Sequence, residues 1–237
     1  MTIMKLPTKL TRVKPALKAV KAPMGLEGKF KRDLSDFLRI QKNKFNRSGI
    51  LQHLYKAYPV RKEYITRYVE RELDFQDRRL YNIMRRQVKA QYNLVKSRQG
   101  EPEVKFLPRE LRRDLRQVTK NINEFTKEQL VNKIHKSLKL KHDINKARAE
   151  VKYMFNSMED YRAQRIMRTE LNKARNVSFI KSLEKYGIDK KKWIDVCKAA
   201  CEACKGNVAV GWIPLKRKFP SGHKFAPAHV NCDCAVV

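Results

Sequence analysis

The first 196 residues of this 237-residue chain contain no cysteine, and no acidic side chain precedes Glu27. Glycine and proline are scarce, at 8 and 9 residues, which argues against a low-complexity or loop-dominated chain. No stretch approaches the roughly 18 apolar residues of a membrane span. The N-terminus "MTIMKLPTKLTRVKPALKAVKAP" lacks the apolar core of a secretion signal. Its lysine bias, arginine poverty and prolines also fit a mitochondrial transit peptide poorly. Residues 1–26 read instead as a basic, partly extended arm that lies on a partner.

What is abundant is positive charge. Lys and Arg number 55 against 24 Asp and Glu, a net charge of +31. The excess is spread along the chain. Residues 1–100 hold 25 basic and 8 acidic side chains, and residues 101–200 hold 25 and 14. Self-repulsion on this scale destabilises a compact state without counter-charge, so a polyanion partner is expected, with nucleic acid ahead of a membrane surface.

Apolar residues recur at three- and four-residue steps from Phe30 onward, which predicts helices. Phe30, Leu34, Phe37, Leu38 and Phe45 form one set, and Ile50, Leu51, Leu54, Tyr55 and Tyr58 another, with Gly49 between and Pro59 as a stop. A long stripe from about Arg61 to Ser97 follows. "SRQGEPEVKFLP" reads as the interior linker, and Pro108 as a helix start. Thr126-Lys-Glu-Gln129 has capping-box spacing and predicts a new helix there. Asp143 is expected to cap another, and Ser157-Met-Glu-Asp160 to open the last long helix, ending near Gly187.

After Gly187 the pattern changes. "KKWIDVC", "VAVGWIPLK" and "CDCAVV" are short, β-branched or aromatic, and separated by Gly and Pro, as strands are. The fold class expected is therefore mostly α: a helical N-terminal body with a small C-terminal α+β zinc-stapled module. The expected divisions are the arm 1–26, a helical basic body 27–150 and a C-terminal module 151–237. A β module of about 50 residues buries little core alone, which makes a staple physically useful.

All five cysteines fall between 197 and 234. Without a secretion signal such clustering favours metal over disulfides. The pattern is Cys201-x2-Cys204, then His229-x2-Cys232-x-Cys234. Zn²⁺ takes four such ligands in a tetrahedron. Cys201, Cys204, His229 and Cys232 are the expected set, and Cys234 can replace His229 or Cys232. Cys197 is expected to be a buried small hydrophobe. A closed structural site would pin the last strand, with no position left open for catalysis.

Arg168-Thr169-Glu170 in a helix, the strand of Trp193, Cys201-x2-Cys204 with Gly206, and the ending "PAHVNCDC" occur in that order. This combination resembles the C-terminal domain of the phage Mu F-like minor head proteins, also called phage head-morphogenesis proteins, over about residues 150–237. Asp233 stands where that family usually has Arg, so no role of that basic residue carries over. The resemblance implies a non-enzymatic virion component, in the phage head interior or at the portal vertex, made in the host cytoplasm. Its expected partners are portal or major capsid protein and DNA held by its phosphate backbone, with no membrane and no small-molecule substrate. It would act in head assembly, packaging or ejection. Arg168, Glu170 and Trp193 are expected to be structural, the first two anchoring their helix to the β module by buried hydrogen bonds. A catalytic carboxylate at Glu170 is the competing use.

Two alternatives remain. One is a His-metal finger nuclease using His223, His229 and Asn231, although a zinc-bound imidazole cannot serve as its base. The other is a zinc-containing nucleic-acid-binding protein outside phage.

Overall fold

A computed structural model describes residues 24–73, 77–195 and 201–237. Nearly all of the basic arm, and Cys197, lie outside the described residues. Among the described residues there are eight α-helices, one π-helical turn and one small sheet. The chain is mostly helical with a small α+β C-terminal module, as its periodicity predicts. It divides into two compact units, each built from separate stretches.

One unit comprises Lys29–Arg85 and Arg109–Gln164. Helix α1 (Met24–Arg47) ends before Gly49, which takes a left-handed φ of 66° that most side chains resist. Helix α2 (Ile50–Lys56) follows, and α3 (Lys62–Leu73) begins past Pro59. Helix α5 (Arg109–Lys139) packs on α3 and on α6 (Ile144–Ser157), and α2 packs on α3 and α6. Asp143 caps α6, its carboxylate accepting from the N–H groups of Asn145 at 2.8 Å and Lys146 at 3.0 Å.

Two expected helix starts are absent. Thr126 lies buried inside the continuous α5, and its hydroxyl donates to the Ile122 carbonyl at 2.7 Å. No Gly or Pro interrupts the chain before it, so nothing frees Thr126 to act as a cap. Ser157 likewise donates to the Met154 carbonyl at 2.8 Å. The chain runs on through a π-helical turn (Met158–Arg162) into α7 (Ala163–Lys185). Arg162 of that turn donates to the Thr126 hydroxyl at 2.8 Å and the Ile122 carbonyl at 3.1 Å.

The other unit comprises residues 24–28, Arg86–Pro108 and Arg165–Val237. It contains the second half of helix α4 (Asp77–Arg98), whose Tyr92 carbonyl accepts from Ser178 of α7 at 3.0 Å. The linker after α4 is fastened rather than loose. Val104 N–H donates to Asn93 at 3.0 Å, and Glu101 receives Lys96 at 2.6 Å and Lys185 at 3.1 Å. Helix α7 terminates at Gly187, with φ 68°, and the Ile188 N–H closes back onto the Leu183 carbonyl.

Strand β1 (Lys190–Ile194) is central in an antiparallel sheet of order β2–β1–β3, with β2 (Trp212–Pro214) and β3 (Ala235–Val236) at its edges. Val208 and Ala209, expected in a strand, instead finish helix α8 (Glu202–Ala209), which packs on β1. The core beneath the sheet joins Phe179, Ile180 and Leu183 of α7 to Trp193, Phe219, Val236 and three cysteines. Trp193 is fully buried, edge-on to Phe219 with ring centroids 5.0 Å apart.

Candidate metal centre

Cys201 sits at the N-cap of α8, and Cys204 lies in the first turn. That placement turns both sulfurs toward one side of the helix start. The Cys204 backbone N–H favours the Cys201 thiolate and holds its pKa below the ordinary value. The second half of the centre arrives 25 residues later, on a turn closed by the Cys232 N–H and the His229 carbonyl at 3.3 Å. Asn231 takes a left-handed φ of 64° in that turn.

Cys204 is the meeting point. Its Sγ lies 3.5 Å from His229 Nε2 and 3.7 Å from Cys232 Sγ. The donor atoms of Cys201, Cys204 and His229 lie within 4.8 Å of one another, and so do those of Cys204, Cys232 and Cys234. Cys204, Cys232 and Cys234 are buried, Cys201 and His229 exposed. These four cysteines are all free thiols. His229 Nδ1 stands 3.0 Å from the Val230 carbonyl, which favours the Nδ1–H tautomer and leaves Nε2 as a lone-pair donor toward the sulfurs.

The electrostatics favour a cation here. Hydrogen bonding with Cys234 brings the Cys232 pKa down to about 5. That same bond, with burial, pushes Cys234 up, and burial pushes Cys204 up to about 12. The buried thiols therefore cannot all ionise without a positive ion among them. Trp193 supplies an independent observation. Its Nε1–H is buried with no hydrogen-bond acceptor, and the Cys234 sulfur is a group its dipole stabilises when ionised. A metal-bound thiolate at Cys234 would satisfy that donor. The five donors Cys201, Cys204, His229, Cys232 and Cys234 could thus hold a metal ion.

A row of polar side chains on α7 fixes this end of the chain. Thr169 accepts from the Asn231 N–H at 3.0 Å. Asn172 donates to the carbonyls of Cys232 at 2.6 Å and Cys234 at 3.1 Å, and Arg175 reaches those of Asp233 at 3.1 Å and Cys234 at 3.3 Å. Asn176 accepts from the Val236 N–H at 2.8 Å and donates to Asn172 Oδ1 at 2.9 Å. Sequence reasoning missed Asn172, Arg175 and Asn176. Their signal was the three- and four-residue spacing of Thr169, Asn172 and Asn176, which places them on one face of the helix. The expectation of a buried anchor at Arg168 is corrected: its side chain is exposed, one helical position from Thr169 and so about 100° away from this row. Glu170 is buried at 6% exposure. His223 belongs to neither donor group, and its Nδ1 lies 3.2 Å from the Ser221 hydroxyl.

No protein-family profile, no curated protein and no solved structure matches this chain.

Proposed function

We propose that this chain is a non-enzymatic phage minor head protein whose C-terminal module is stapled by a structural zinc ion. It associates with portal or inner capsid protein and contacts DNA through its phosphates, acting in head assembly, packaging or ejection. The observation that carries the reading is the convergence on Cys204 of two motifs 25 residues apart, beside the helix of Arg168-Thr169-Glu170. These are the elements on which the resemblance to the Mu F-like minor head proteins rests.

Zinc is the metal that suits the donors. Thiolates and one imidazole are soft to borderline ligands, and d¹⁰ zinc accepts the tetrahedron they can form. Cys201, Cys204, His229 and Cys232 are the proposed ligands, with Cys234 as the alternative, and bound zinc would stabilise the thiolates and leave no open coordination position. The protein supplies orientation: His229 through Val230, the terminal cysteines through Asn172 and Arg175. The net charge of +31 supports contact with packaged DNA.

The test is co-expression with a phage portal protein and a major capsid protein, followed by sedimentation and a plasmid retardation assay across a salt series. Co-sedimentation with the portal is expected, together with retarded plasmid that is released steeply by salt and is intact after deproteinisation. Absence from portal and capsid fractions would sink the head-protein reading. Mg²⁺-dependent nicking abolished by His229→Ala would replace it with a nuclease, and RNA bound in preference to DNA would move the protein outside phage.

A further inference from the structure

The sheet of the C-terminal module has two faces of opposite character. Lys191, Trp193 and Ile213 point into the core, so Lys190, Lys192, Trp212 and Pro214 alternate onto the other face. The register sets Lys192 directly opposite Trp212 and Lys190 opposite Pro214. Trp212 leaves 47% of its surface exposed, while the other tryptophan, Trp193, is fully buried. A solvated indole on a strand is an unfavourable use of the largest apolar side chain unless something covers it.

The surroundings indicate what. The chain leaves β2 through a turn closed by the Arg217 N–H and the Pro214 carbonyl at 3.0 Å, and Lys216, Arg217 and Lys218 on it are all exposed. Among the described residues, none of Lys190, Lys192, Lys216, Arg217 or Lys218 has a carboxylate partner. The turn is held from beneath. Phe219 is buried against Trp193, and fully buried Asn207 bonds Ser221 at its hydroxyl, 2.9 Å, and its N–H, 3.0 Å. The cations and the indole therefore stand on a preorganised base.

We infer that this face binds a single-stranded polynucleotide, with Trp212 stacked on a base and Lys190, Lys192, Lys216, Arg217 and Lys218 on the flanking phosphates. Aromatic rings interleaved with cations are how sequence-tolerant single-strand surfaces work. A duplex keeps the faces of its bases stacked and offers the indole nothing. An acidic polypeptide would match the charge but has no planar group for the ring. The inference rests on the DNA-contacting reading of the chain and narrows it, at this module, to unpaired nucleic acid.

The test uses the full zinc-loaded chain and an oligothymidylate of roughly 16 nucleotides, beside a duplex of equal length. Binding is read by the anisotropy of the labelled strand and by quenching of tryptophan emission. Trp212→Ala should remove the quench and weaken oligothymidylate binding about tenfold, with duplex affinity and the melting curve unchanged; Trp212→Phe should restore binding. Replacing Lys216, Arg217 and Lys218 together by Gln should lower the salt dependence of single-strand binding. Unchanged oligothymidylate affinity in Trp212→Ala overturns the inference. Duplex binding without oligothymidylate binding overturns it too but leaves the DNA contact standing. Binding of neither ends both. Polyglutamate that binds with the same dependence on Trp212 overturns it in favour of an acidic protein surface.

Discussion

The side-chain amide of Asn172 donates to the Cys232 carbonyl at 2.6 Å, joining residues 60 positions apart. The same nitrogen reaches the Cys234 carbonyl at 3.1 Å. One buried side chain thus fixes the backbone of both terminal cysteines. Asn172→Ala would take the donor from the Cys232 carbonyl and leave the Cys234 carbonyl to Arg175 and Asn176, at a cost of about 2 kcal/mol. The C-terminal module should unfold at lower urea concentration, and a chelator should strip its metal faster. An unchanged stripping rate would mean that Asn172 does not position the ligands.

Cys204 belongs to both donor groups, whereas Cys234 belongs to one. Cys204→Ser should therefore release the metal and melt the C-terminal module, since the free energy of binding a structural metal is folding free energy. Cys234→Ser should keep stoichiometric metal if Cys201, Cys204, His229 and Cys232 are the four ligands. Metal content by atomic emission and melting by calorimetry decide the point. Retention of both metal and melting temperature by Cys204→Ser would end the reading of Cys204 as the shared ligand. Loss of metal in Cys234→Ser would change the ligand set.

Most helix boundaries were legible because particular residues enforce them. Gly49 and Gly187 adopt left-handed φ, and Asp143 accepts two helical N–H groups. The ligand clustering was legible because spacing along the chain and proximity in space coincide around Cys204. Thr126 and Ser157 misled for one shared reason. A capping sequence acts only where the preceding helix stops, and here the hydroxyls of both donate backward to carbonyls in their own helices. Val208 and Ala209 look like strand residues, but the first turn of α8 at Cys201 and Cys204 carries them into a helix. Asn172 and Asn176 were invisible as site residues because their partners are backbone groups, which a sequence does not display.

Glu101 is 5% exposed and receives Lys96 and Lys185 on one oxygen. Burial alone would raise its pKa, but the hydrogen bonds from the two ammonium groups outweigh that, and it lies below 4.5. A depressed folded-state value means that the stabilisation is present above the unfolded pKa. It is lost as pH falls through the folded one. Glu101→Gln should cost about 2 kcal/mol at neutral pH by leaving two cations without their carboxylate. The gap from wild type should narrow as pH falls below 4.5 and through the folded-state value. A gap that persists at low pH would show that packing rather than charge is lost.

Lys191 has the opposite sign. It is fully buried, its ammonium donating to the Lys224 carbonyl at 2.6 Å over the Phe219 ring, 5.1 Å from the centroid. Burial first, and then the charge of Lys224, push its pKa down to about 8 from 10.5. The folded state gives up this proton before the unfolded state does, so the protonated lysine is a deficit fully present below about pH 8. As pH rises toward 10.5 the unfolded chain still holds the proton, and folding is favoured. Between pH 8 and 10 wild type should therefore gain about 2 kcal/mol relative to Lys191→Met, which cannot titrate. Denaturant unfolding of both proteins across that range checks it, because the thiols common to both cancel in the difference. A gap independent of pH would mean that Lys191 is hydrated enough to keep its ordinary pKa.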